Sequence, residues 1–86
     1  MKKGGCAMMK LRILNMKNFL AAVNDCEGPV NLVHPDGWRE NINKQYYVQK
    51  LLTEEYMENG NYLKLRLEVP ESRDYMRLVS RYVAEC

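Results

Sequence analysis

One histidine, one tryptophan and one phenylalanine serve all 86 residues, and the three cysteines, Cys6, Cys26 and Cys86, are far apart with no Cys-x-x-Cys pair among them. A zinc centre needs clustered thiolates and imidazoles, and a disulfide framework needs an even set, so neither is expected. Separate reduced thiols of a cytosolic protein are the remaining reading. Serine is scarce as well. Ser72 and Ser80 have no base close in sequence, no nucleophile elbow is present, and no glycine-rich loop exists to cradle a phosphate. Hydrolase and nucleotide-binding readings fall away, and no cofactor is expected. No apolar run approaches the ~20 residues of a membrane span. The opening Met1-Lys2-Lys3-Gly4-Gly5-Cys6 lacks the apolar stretch of a secretory signal. A cytoplasmic protein with no membrane partner is expected. Charge of one sign is nearly absent too: thirteen Lys plus Arg against eleven Asp plus Glu leave +2, too little to name nucleic acid or an anionic surface from charge alone.

With 47% hydrophobic and 28% charged residues the composition is that of a folded domain, and 86 residues allow one core. Residues 1–8 show no period and read as a loose N-terminal extension, leaving 9–86 as a single domain. In Leu11-Arg12-Ile13-Leu14, residues 11 and 13 share one face of a strand. Met16, Phe19, Leu20 and Val23 follow at helical spacing, and Gly28-Pro29 lies outside that helix. Val30-Asn31-Leu32-Val33-His34 and Trp38-Arg39-Glu40-Asn41-Ile42 are strands joined by Pro35-Asp36-Gly37. Proline presets the first turn dihedral and glycine accepts the left-handed closing position, which sets His34 opposite Trp38. Asn41 or Asn43 caps a second helix with the stripe Tyr47, Val48, Leu51, Leu52, Tyr56. Asn59-Gly60 ends it. Tyr62 to Val69 alternates leucine and valine with charge, the mark of a half-buried strand. After Pro70, Ser72 caps a last helix carrying Tyr75, Leu78, Val79, Tyr82 and Val83. The expected fold is therefore α+β. It is a two-layer β-α-β-β-α-β-α sandwich with an antiparallel four-stranded sheet and three helices on one face.

This order of elements and this length resemble HPr, the histidine-containing phosphocarrier of the bacterial sugar phosphotransferase system. Ferredoxin-like domains, including RNA-recognition modules, share the first six elements and stop after the fourth strand. The resemblance to HPr covers residues 10–86. The family's phosphorylation loop reads Gly-Leu-His-x-Arg-Pro-Ala, and the equivalent stretch here is Leu14-Asn15-Met16-Lys17-Asn18-Phe19. Asn15 stands in place of the phosphorylated histidine, Lys17 of the arginine and Asn18 of the proline. The family's regulatory serine has no counterpart in Ile42-Asn43-Lys44-Gln45. The resemblance thus implies the scaffold and its docking surface without the chemistry. The chain is expected to be no enzyme but a protein-binding or regulatory module. Asn15, Met16, Lys17, Lys44, Gln45 and Tyr46, at the starts of the first two helices, are its expected partner-facing residues.

The rival expectation is a ferredoxin-like module that binds single-stranded nucleic acid on its open sheet face. In both folds the first and last strands are neighbours, so Arg12, Lys64 and Arg66 share that face, with Tyr62 as an aromatic to stack on a base. Trp38, at the start of the third strand, is the one aromatic near the position such a module would use. His34 has no second imidazole or thiol beside it and reads as a packing residue. The glutamates at 54, 55, 58 and 71 and Asp74 fall on helix surfaces or ends, where charge is ordinarily solvated. Tyr46 is the tyrosine expected to be most exposed.

Overall fold

A computed structural model describes residues 8–80. Cys6, Tyr82, Val83 and Cys86, and most of the expected N-terminal extension, lie outside them. The chain forms β1 (Met8–Ile13), α1 (Met16–Asn24), β2 (Asn31–Val33), β3 (Arg39–Asn41), α2 (Tyr46–Glu58), β4 (Leu63–Glu68) and α3 (Ser72–Val79). The strands make one antiparallel sheet in the order β1-β4-β2-β3. Buried side chains of all three helices pack on one side of it, giving a two-layer α+β sandwich.

Alternation in β1 and β4 builds the centre. Met9, Leu11 and Ile13 stand opposite Leu67, Leu65 and Leu63, and this face points to the helices. Lys10 and Arg12 stand opposite Arg66 and Lys64 on the other, exposed face. A one-residue slip would exchange the two sets, so the register is strongly fixed. β1 starts at Met8, inside the stretch expected to be loose, because pairing with Glu68 and Leu67 carries the alternation back through Met9. From α1 come Met16, Phe19, Ala22 and Val23, all buried. Burying Phe19 completely contributes about 1.5–3 kcal/mol.

The hairpin between β2 and β3 follows its turn residues. The His34 amide donates to the Trp38 carbonyl at 2.8 Å across the loop Pro35-Asp36-Gly37, and Gly37 takes a φ of +91°. The His34 and Trp38 rings stack at 4.6 Å.

α2 departs from its expected start and stripe. It begins at Tyr46 behind Gln45, which makes no side-chain cap. The Asn41 carbonyl oxygen of the side chain instead accepts from the amides of Val30 and Asn43 at 3.1 and 3.0 Å. Asn43 is buried and holds neighbouring carbonyls. The helix then turns Gln49 and Leu52 inward, with Val48 and Tyr56 partly buried. Tyr47, expected in the stripe, is 73% exposed, and Leu51 lies on the flank. α3 includes Ser72 as its first residue, and no side chain caps it.

Candidate functional site

The expected partner-facing residues fall at two separate places. α1 and α2 run antiparallel. The Asn24 side chain, at the end of α1, bonds Gln49 near the start of α2, while the Tyr56 hydroxyl at the other end donates to the Leu14 carbonyl at 2.7 Å. Asn15, Met16 and Lys17 therefore sit at one end of the pair, and Lys44, Gln45 and Tyr46 at the other. Asn15 is the N-cap of α1, its side-chain oxygen accepting from the Asn18 amide at 3.0 Å. Met16 is 3% exposed and belongs to the core, which corrects its assignment to the surface; its place as first residue of the helix stripe faces it to the sheet. Lys44 adopts a left-handed φ of 60°, and its ammonium donates to the Cys26 carbonyl at 3.0 Å, so it serves the fold. Lys17, Gln45 and Tyr46 are exposed. Tyr46 is 68% exposed, with Tyr47 and Leu51 also open to solvent on the same half of α2.

The basic residues come together more closely than the helix ends do. Arg12 and Lys64 are directly opposed on the open face, Arg66 is beside them, and Lys10, absent from the expected basic face, is opposite Arg66. Among the described residues the ion pairs are His34 with Glu40 at 3.1 Å and Arg39 with Glu68 at 2.8 Å, so none of these four cations has an acidic partner there. Overall the chain carries +2, so the four positive charges of this patch leave the remainder net negative by two. Tyr62 is half-buried at the end of the same strand face. Trp38 faces His34, whose parity along β2 matches that of inward-facing Leu32, so the tryptophan is on the helix side of the sheet.

Next to the patch the sheet opens. β4 pairs with β1 over its whole length but with β2 only at Glu68 and Leu67. Where the strands part lies a cleft of about 740 Å³. Lys10, Lys64 and Arg66 line it from the open face, and Val48, Leu51 and Leu52 of α2 line it from within. The His34–Glu40 pair and Glu55 contribute its other polar groups.

A buried polar cluster fixes the loop between α1 and β2. Asp74 of α3, 1% exposed, accepts from the amides of Glu27 and Gly28 at 3.1 and 2.8 Å. A Cβ on Gly28 would lie 3.3 Å from its carboxylate oxygen, so glycine permits this close approach. Asn43 donates to the carbonyls of Cys26 and Gly28 at 3.0 and 2.6 Å. Gln49 donates to Ile42 and Asn24 at 2.8 and 2.7 Å. These groups satisfy one another and hold loops together. In the sequence Asp74 and Gln49 are polar residues within helix patterns and Asn43 is a cap candidate. Asp74, expected to be solvated, is instead buried because it caps the loop amides of Glu27 and Gly28. Burial, and next the Asp74 carboxylate, push the Cys26 thiol up to about 11.

Among the described residues no group of three or more histidine, cysteine or acidic side chains is placed to hold a metal ion, and no helix is long and apolar enough to cross a membrane. Comparison with protein-family models, with curated proteins and with solved structures gives no match.

Proposed function

We propose that this chain is an HPr-like scaffold without phosphocarrier chemistry, acting in the cytoplasm as a non-catalytic module that binds a protein of the sugar phosphotransferase system. The observation that carries this reading is the strand order, with β4 between β1 and β2 and a third helix following β4. An HPr-like scaffold has that order, whereas a ferredoxin-like one places its first strand between the fourth and third. Fold alone does not fix function, so the chemistry is argued from the residues. At the start of α1 the side chain is an amide, which cannot accept a phosphoryl group as an imidazole nitrogen does. That amide is engaged as an N-cap, and Lys17 offers a flexible point charge in place of a planar guanidinium. What remains for a partner are exposed Lys17 at one end and the exposed Tyr46, Tyr47 and Leu51 on α2, the kind of aromatic and apolar surface that anchors interfaces. The nucleic-acid reading keeps Tyr62, half-buried at the end of the basic strand face, but loses the central-strand aromatic, since Trp38 is on the helix side of the sheet.

The test is titration of the purified chain with the general phosphorylating enzyme and the sugar-specific proteins of that system, followed by amide NMR and intact mass. Saturable binding to at least one of them is expected, with shifts at residues 46–51 and a loss of binding in Tyr46→Glu/Tyr47→Glu. Added phosphoenolpyruvate leaves the mass unchanged. A gain of one acid-labile phosphate, or no binding to any component, refutes the proposal.

A further inference from the structure

The parting of β2 from β4 creates a cleft with two chemically distinct walls. From within, α2 presents Val48, Leu51 and Leu52. On the open face Lys10, Lys64 and Arg66 stand together without acidic partners among the described residues. Cations directly opposed across antiparallel strands repel one another, so the fold carries this arrangement at a cost in stability. A bound anion removes that cost. The volume, about 740 Å³, is within the ~300–1,000 Å³ of small-molecule sites.

We propose that this cleft binds a small amphipathic anion, an aliphatic chain ending in a phosphate, with the chain against Val48, Leu51 and Leu52 and the head at Lys10, Lys64 and Arg66. The lining selects this class. No Phe, Tyr or Trp lines the cleft, and its one aromatic ring, His34, is stacked on Trp38 on one face, so a nucleobase finds a poor stacking platform. A phosphate of about −1.5 to −2 charge matches clustered cations better than a single carboxylate charge does. Glu55 and the His34-paired Glu40 repel the head and orient it toward the basic side.

The probe is dodecyl phosphate, kept below its aggregation threshold and titrated into the full chain by calorimetry and by Trp38 fluorescence. One saturable site is expected. Lys64→Glu and Arg66→Glu each weaken it about tenfold or more, as the loss of a hydrogen bond to a charged group implies. Leu51→Gln, at a residue already 46% exposed, weakens it while circular dichroism stays unchanged. Lys17→Glu, outside the cleft, has no effect. Inorganic phosphate tests the head alone and dodecyl maltoside the chain alone, and both bind far more weakly. No saturable binding of dodecyl phosphate, equal binding of either control, or binding indifferent to both charge reversals overturns the proposal. So does tighter, salt-sensitive binding of an oligothymidylate that is lost in the same variants, which assigns the face to nucleic acid. Leu51 belongs to both this cleft and the proposed α2 surface, but the titration contains no partner protein, so its outcome does not depend on whether a phosphotransferase protein binds α2.

Discussion

Cys26 stands in the loop between α1 and β2, buried, with its thiol donating to the Ala22 carbonyl at 3.5 Å. Burial first, and then the Asp74 carboxylate, disfavour the thiolate and raise the thiol from 9.0 to about 11. A raised folded-state value means that the native protein keeps this proton between pH 9 and 11 while the unfolded chain releases it. The resulting stability is complete below pH 9 and declines as pH rises through 11. Cys26→Ala removes this dependence. It is expected to be less stable at pH 7 by about 1 kcal/mol, from lost packing. The gap to the parent chain narrows from pH 9 upward. Urea unfolding over that range checks it, and a gap that is constant or widens contradicts it. Met16 shows what a residue's sequence neighbourhood hides. Its match to a loop position in a family motif placed it outside, while its spacing to Phe19, Leu20 and Val23 placed it inside, and the apolar spacing prevailed.

At the scale of elements, strands and their pairings were the legible part. Period-two alternation identifies β4 and turn residues identify the hairpin, because each signal is local. α2 was less legible, since its inward face is partly polar. Gln49 occupies a core position that an apolar stripe would assign to leucine, and it bonds the Ile42 carbonyl and Asn24. Those partners come from other segments, so no local pattern announces them. Gln49→Leu therefore tests packing against polar satisfaction. The leucine adds apolar burial but removes a donor to Asn24 and one of two donors to the Ile42 carbonyl, which keeps the Gln45 amide at 3.3 Å, and each lost hydrogen bond costs about 0.5–1.5 kcal/mol. A lowered urea midpoint with an unchanged slope is expected, and an unchanged or raised midpoint contradicts it. The cleft was not legible for a related reason. It depends on where β2 stops pairing with β4, which is decided by tertiary geometry rather than by either strand's sequence.

Across the whole molecule the small net charge conceals a polarity. Lys10, Arg12, Lys64 and Arg66 meet on the open face of the sheet, although they come from the two ends of the described chain. Summing charge along the sequence cannot detect this, because only the β1–β4 pairing superimposes the two segments. The opposed pairs Lys10 with Arg66 and Arg12 with Lys64 contribute nothing to folding and oppose it through repulsion. Opposed cations that oppose an otherwise consistent fold are what the proposed anionic ligand offsets. Lys64→Glu places an acid opposite Arg12 and beside Arg66 on an exposed strand position. It is expected to stabilise the free protein by about 0.2–1 kcal/mol, the range for one cross-strand charge pair. The gain shrinks as salt screens exposed charges. The same substitution lowers affinity for dodecyl phosphate, so stability and binding move in opposite directions. Thermal unfolding of both chains at low and high salt, each with and without the probe, measures the two effects together. If Lys64→Glu destabilises the free protein at low salt, the four cations are not a repulsive patch, and the argument from charge to an anionic ligand fails with it.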